Sequence, residues 1–323
     1  MSTSTNHGLV SVIVASYNHA EYLEERMESL INQTYQNIEI LVIDDCSRDR
    51  SVEVLRKYET HPKVNLIVRE ENVGWVAVSN QGVEISKGEF ILFANCDDSC
   101  EPEMLEKLVE SMYENPKVGV AYCRSKMIDE DGNLLGDDFL GREDRFKSKC
   151  FHDVLITKKE MTFFLLHSCV IPNLSAALIR KDCYLDSGGM TNFYKVCADW
   201  DLFFRVAKKF DVAYLAKPLN KFRQHKTTIR SSTKNRDMYA EFFKLLLNQL
   251  NMGELDFSSR MRVRIRVMDL WIRYVAINPI QSLLNLNYHF ILILKSDFLT
   301  LLFLPISFLA VCQSIFKKGL KQK

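Results

Sequence analysis

No Cys-x-x-Cys pair occurs among the nine cysteines of this 323-residue chain, and their number is odd. Scattered thiols of that kind argue against a disulfide framework or a zinc site and suit a reduced, cytosolic protein. Glycine is missing where a dinucleotide-binding dehydrogenase needs it. Ala15 to Glu21, which follow the first apolar run, contain none, so the G-x-G-x-x-G turn is absent. The glycine-rich, basic loop of a sugar nucleotidyltransferase is absent from the same place. The opening residues, MSTSTNHG, lead directly into an apolar run, and a secretory signal is not expected. The acidic stretch DEDGNLLGDD (129–138) lacks the remaining ligands and the closing glutamate of a calcium loop. Its Asp131-Gly132 pair reads instead as a hairpin turn.

Acidic side chains are scarce towards the end. From Phe257 onward ten basic residues meet only Asp269 and Asp297, so this part carries +8 and the remainder −7, giving the net +1. The basic end is the part suited to phosphate or to an anionic surface. With 47% apolar residues the chain can build one large α/β domain or two medium ones, and nothing in its composition indicates disorder.

Apolar runs at residues 9–15, 38–43, 64–68 and 90–94 have strand length and alternate with segments of helical periodicity. That alternation predicts a mostly parallel, buried sheet with helical crossovers. In such sheets ligands lie beyond the carboxyl ends of the strands. Three strand-end breaks fall there: Ser16-Tyr17-Asn18, Asp44-Asp45-Cys46-Ser47 and Asn95-Cys96-Asp97-Asp98. The last delivers adjacent carboxylates, which repel unless a cation, donors or water neutralise them. A hard divalent ion on phosphate oxygens is one solution, and helix capping by Asp97 beside a solvated Asp98 is the other.

The ordered blocks VSVIVASYNHAEYL, SLINQTYQNIEILVIDDCSRD, ENVGWVAVSNQG, KGEFILFANCDD and CADWDLFFRVAKKFDVAYLAKPL, spread over residues 9–225, resemble those of family 2 glycosyltransferases. The resemblance implies a GT-A fold, a mostly parallel Rossmann-like sheet flanked by helices with a C-terminal helical extension. It implies an inverting enzyme that moves a sugar from a nucleotide diphosphate, UDP-linked, to a hydroxyl of a glycan or lipid-linked acceptor in surface polysaccharide synthesis. The alternatives are a non-catalytic nucleotide-sugar-binding protein and a sugar nucleotidyltransferase.

By position in these blocks, Ser16, Tyr17, Asn18, Asp45, Asn72, Asn80, Asn95 and Asp97 would line the donor site. Tyr17 would lie against the base and Asp45 would accept from a base N–H. The family's Asp-x-Asp falls on Asn95-Cys96-Asp97, so its first carboxylate is an amide here. Asp97 is then the first metal ligand, with Asp98 and His225 as further candidates for Mn²⁺ or Mg²⁺. Asp199, at the expected start of a helix, would be the catalytic base, and helix capping is its structural reading. Asp201 is expected to pair with Arg205 four residues on, and His152 and His167 to be structural.

These features divide the chain into a glycosyltransferase domain (8–225, with a nucleotide-binding half to residue 100 and an acceptor half from 101), a helical extension (226–285) and an apolar, basic tail (286–323). RMRVRIRV (260–267) alternates with period two and fits a strand or part of a helix, its arginines facing anionic lipid or solvent. Phe298 to Phe316 is uncharged for nineteen residues, is interrupted by Pro305 and precedes four lysines. A segment lying on the cytoplasmic membrane face is expected, as a peripheral anchor, alone or as a shallow hairpin with His289 to Leu294. A buried helix packed on the domain or in a homo-oligomer is the alternative. No nucleic-acid partner is expected.

Overall fold

The computed structural model describes residues 8–142, 144–226, 228, 231, 233–251, 255–277, 279–305 and 307. Among them ten strands form one sheet. They are β1 (Val10–Ser16), β2 (Ile38–Asp44), β3 (Val64–Val68), β4 (Phe90–Phe93), β5 (Ser99–Cys100), β6 (Val118–Ile128), β7 (Leu134–Asp137), β8 (Val154–Ile156), β9 (Ala177–Arg180) and β10 (Asp211–Arg223). Helices α1 (Ala20–Ile31), α2 (Ser51–Arg56), α3 (Trp75–Ile85), α4 (Met104–Glu114), α5 (Asp144–Lys149), α6 (Lys158–Leu165), α7 (Lys181–Asp186) and α8 (Ala198–Ala207) are interspersed.

The strand order is β3-β2-β1-β4-β9-β6-β10-β5, with β7 on β6 and β8 on β10. Strands β1 to β4 are parallel, as their alternation with helices predicts. Strand β9 is antiparallel to both β4 and β6, and β10 runs parallel to β6. Six strands therefore point the same way, and Ser16, Asp44, Phe93, Ile128 and Arg223 end at one edge. Pro218 sits where the β6–β10 register shifts, a position that tolerates a residue with no N–H. The Asp131-Gly132 turn does join two antiparallel strands, β6 and β7, with Gly132 at φ 87°.

The chain divides into two compact units: Met1–Thr162 with Val170–Phe193 and Ala198–His225, and Phe163–Cys169 with Tyr194–Cys197 and Lys226–Lys323. In the first unit α1 and α4 bury Leu23, Met27, Leu30, Leu105, Leu108 and Met112 against one sheet face. On α3 the approach is closer: a Cβ at Gly82 would stand 2.4 Å from Ile13 Cγ2 of β1.

The second unit contains the helices Asn235–Asn251, Phe257–Ile277 and Pro279–Asp297 and a 3₁₀ turn, Phe298–Phe303. RMRVRIRV is helical, because Val263, Val267, Trp271 and Tyr274 recur at helical spacing and are buried. Its arginines are engaged within the unit. Arg264 pairs with Asp297 at 2.6 Å, Arg266 with Asp269 at 2.7 Å, and Arg262 lies over Phe163. One helix, Pro279–Asp297, runs through residues 285 and 286, where the sequence suggested a boundary. Among the described residues no helix is long and apolar enough to cross a membrane. Residues 308–323, with most of the uncharged stretch and all four lysines, lie outside the described residues.

The Gly82 contact yields a test. Gly82→Ala is expected to destabilise the protein by about 1–3 kcal/mol through overpacking. The double variant Gly82→Ala/Ile13→Ala should lose less than the sum of the two single changes in urea melts, and strict additivity would contradict the contact.

Candidate active site

Positive φ marks two of the three strand-end breaks, at Asn18 (φ 54°) and Cys46 (φ 65°). Such backbone in residues other than glycine is uncommon and clusters at functional sites. Asn18 donates its N–H to Ser47 Oγ (2.9 Å) and accepts from Arg48 N–H (2.8 Å), locking the loops after β1 and β2 together. Ser16 Oγ donates to Asp44 Oδ2 across the same two strands (3.1 Å). Tyr17 between them is 41% exposed.

Asp45 is 3% exposed. Its carboxylate accepts the N–H of Val73 (3.0 Å) and of Gly74 (2.8 Å), and Arg69 Nε lies 3.4 Å away. A carboxylate offers about four acceptor positions, so one remains. Asn72 donates Nδ2–H to the Asp45 carbonyl, which fixes the same loop. Asn80 has both amide ends engaged by protein: Nδ2–H donates to Met190 O, and Oδ1 accepts from Tyr184 Oη–H at 2.5 Å.

At the third break the two aspartates separate. Asp98 is 1% exposed and accepts from Ser175 Oγ (2.7 Å), Asn173 Nδ2 (2.7 Å), Asn95 Nδ2 (3.3 Å) and Arg223 N (3.0 Å). Burial and the charge of Asp97 push its carboxyl up to about 6. Asp97 Oδ2 instead faces His225 Nε2 at 2.8 Å, joining residues 128 positions apart. Burial pushes Asp97 up, but the His225 hydrogen bond and the nearby imidazoles outweigh it and hold the carboxyl below its usual range.

The third member of this group is His19, which sequence reasoning passed over, and not Asp98. His19, Asp97 and His225 each present a ligand atom, all within 4.8 Å of one another. The rings of His19 and His225 meet edge-on at 5.3 Å, and His19 Nδ1 lies 3.1 Å from Cys96 Sγ. Its signal in the sequence was its place one residue beyond Asn18, in the same break as Tyr17. Burial holds the His19 imidazole below its ordinary value. Asp98, whose acceptor positions are filled by four donors, is a brace under Asn95 and Asp97 rather than a member of the cluster.

Asp199 lies in the first turn of α8, where its Oδ1 accepts the N–H of Trp200 at 2.7 Å. Asp201 pairs with Arg205 at 2.8 Å, as its spacing predicts. Just before α8, in the second unit, the Glu241 carboxylate accepts three consecutive N–H groups, those of Lys195 (3.0 Å), Val196 (2.7 Å) and Cys197 (3.1 Å).

The profile described as "Glycosyl transferase family 2" matches residues 11–182. The chain belongs to that family. Among similar proteins, it is 32% identical over 133 residues to TuaG of Bacillus subtilis, a glycosyltransferase provisionally assigned to teichuronic acid biosynthesis. That match covers 41% of this chain and about half (52%) of the length of TuaG. Among solved structures, S. aureus TarS residues 1–349 with UDP-GlcNAc has TM-score 0.62 at 20% identity, over 83% of this chain and 72% of that one. The mannosyltransferase PcManGT of Pyrobaculum calidifontis, with GDP-Man and Mn²⁺, has TM-score 0.60 at 16% identity, over 97% and 89%. These likenesses establish the GT-A-like fold.

Asp98 gives a sign-definite pH test. A carboxyl raised in the folded state binds a proton that the unfolded chain has already lost, so its contribution is complete below about pH 4 and disappears as pH rises through about 6. Urea melts between pH 4 and 7 should show a fall with rising pH that Asp98→Asn flattens, and parallel curves for the two proteins would contradict it.

Proposed function

We propose that the protein is an inverting glycosyltransferase that moves a sugar from a nucleotide diphosphate donor, UDP-linked, to a hydroxyl of a glycan or lipid-linked acceptor in surface polysaccharide assembly. The observation that carries this reading is the meeting of Asp97 and His225 at the edge where β1, β2 and β4 end. UDP-GlcNAc in TarS and the teichuronic acid role given to TuaG favour the donor and the setting.

The half-exposed Tyr17 ring suits the face of a base, and the remaining acceptor position of Asp45 suits a base N–H. Ser16, Asn18 and Asn72 hold the loops after β1, β2 and β3, and Asn80 on α3 holds Met190 and Tyr184. Asn95 spends its amide N–H groups on Asp98 and Asn173, leaving its carbonyl oxygen for a ribose hydroxyl. An imidazole and a carboxylate oxygen 2.8 Å apart fit a divalent ion, Mn²⁺ or Mg²⁺, held by Asp97 and His225. When bound, such an ion supplies positive charge against that building on the departing diphosphate. The acceptor hydroxyl, far from ionised at neutral pH, gives its proton to Asp199 as the new bond forms, in one displacement with inversion.

Asp199→Asn should lose at least about 10²-fold of transfer, read as UDP released in the presence of acceptor, while UDP-sugar affinity stays within error. Normal turnover would remove Asp199 from the mechanism. Tight donor binding with no turnover by the unaltered protein would favour the non-catalytic alternative.

The second unit suits peripheral attachment to the cytoplasmic membrane face. Phe290, Ile291, Leu294, Phe298 and Leu302 are exposed, and the lysine-rich end of the chain follows them in the sequence. Buried His289 and Ile293 belong to the packed side of the same segment, so the test is made on the exposed residues. Phe298→Ser/Leu302→Ser should shift the protein from the membrane pellet to the supernatant on fractionation. Unchanged sedimentation would count against the attachment, and a change in oligomeric state instead would point to a homo-oligomer.

A further inference from the structure

We propose that His19 is a third protein ligand of the ion, and that the completed set of two imidazoles and one carboxylate selects a first-row transition ion such as Mn²⁺ over Mg²⁺. This rests on the metal reading above and narrows it.

Ligand atoms about 2.1 Å from one ion and about 90° apart lie about 3 Å from each other. The 2.8 Å between Asp97 and His225 is of that order, and the His19 ligand atom lies within 4.8 Å of both. The β1–α1 loop that carries His19 is held in place by several bonds. His19 N–H donates to Ser51 Oγ (3.2 Å), and Ala20 N–H donates to Asp49 Oδ2 (3.0 Å). The ring itself is held through Nδ1 by Cys96 Sγ at 3.1 Å. The tautomer with Nδ1–H donating to that sulfur leaves the Nε2 lone pair for an ion, the usual way a neighbouring group orients a metal-binding histidine.

The donor set decides the ion. Mg²⁺ wants oxygen ligands in near-ideal octahedral geometry, and a set with two imidazoles departs from that further than a set with one. With Asn95 in place of a carboxylate, the three ligands contribute one negative charge, through Asp97, and a divalent ion of either kind then leaves the centre at +1 for a diphosphate.

The test uses the full-length protein and the metals alone. Mn²⁺ binding is read from loss of the free-ion EPR signal, and Mg²⁺ binding by competition against it. The unaltered protein should bind Mn²⁺ at least about tenfold more tightly than Mg²⁺, and His19→Ala should lose at least about tenfold of Mn²⁺ affinity. His19→Asp, which restores an oxygen ligand, should recover affinity and narrow the gap between the two ions, excluding a folding defect as the cause. Equal Mn²⁺ affinity of His19→Ala and the unaltered protein, with loss in Asp97→Asn, would overturn the role of His19 and leave the Asp97–His225 site standing. No Mn²⁺ binding by the unaltered protein, while UDP still binds, would overturn both.

Discussion

Arg223 buries its guanidinium where three chain segments meet, and its donors join the parts of the site. Its N–H donates to Asp98, its Nε–H to the Asp97 carbonyl (2.9 Å), its Nη1 to the carbonyls of Asp129 and Glu130, and its Nη2 to Glu25 of α1. The group also lies 4.8 Å over the Tyr22 ring. These acceptors offset the cost of taking the guanidinium out of water. Because His225 follows two residues later, the clamp that fixes the end of β10 also fixes the spacing between His225 and Asp97. The β6–β7 hairpin, helix α1 and the acidic turn are thereby one rigid assembly.

The acidic turn is a division of labour between adjacent residues. Asp98 gives its lone pairs to Ser175, Asn173, Asn95 and Arg223, which leaves Asp97 as the carboxylate directed at the histidines. A carboxylate whose acceptor positions are all taken by its own loop has none left for a ligand. Asp45 stands between the two cases, since it shapes the Val73-Gly74 turn with most of its capacity and keeps one position over.

Much of this was legible from residue order. The four apolar runs and the intervening helical periodicity give β1 to β4 with their parallel pairing, because buried parallel strands must be apolar on both faces. The strand-end breaks placed Tyr17, Asp45 and Asp97 on one edge for the same reason. Only the resemblance put Asp97 ahead of Asp98; local sequence could not tell which of them turns towards His225, since that depends on Asn173 and Ser175, some 75 residues away in chain order. His19 was missed because a lone histidine at a helix start carries no spacing signal until β10 brings His225 beside it. RMRVRIRV shows the opposite limit: its period of two is local, and the helical spacing of Val263, Val267, Trp271 and Tyr274 appears only over a longer window.

Glu241 ties the first of the C-terminal helices to the segment that leads into α8. Its carboxylate gathers three successive amides of the strap that runs directly into Asp199, and Asn248 on the same helix holds Tyr194 at the start of that strap. A fragment ending at His225 would retain every strand of the sheet yet release that strap, stranding three N–H groups and loosening the approach to α8. The part of the chain needed to order this strap is therefore longer than the sheet.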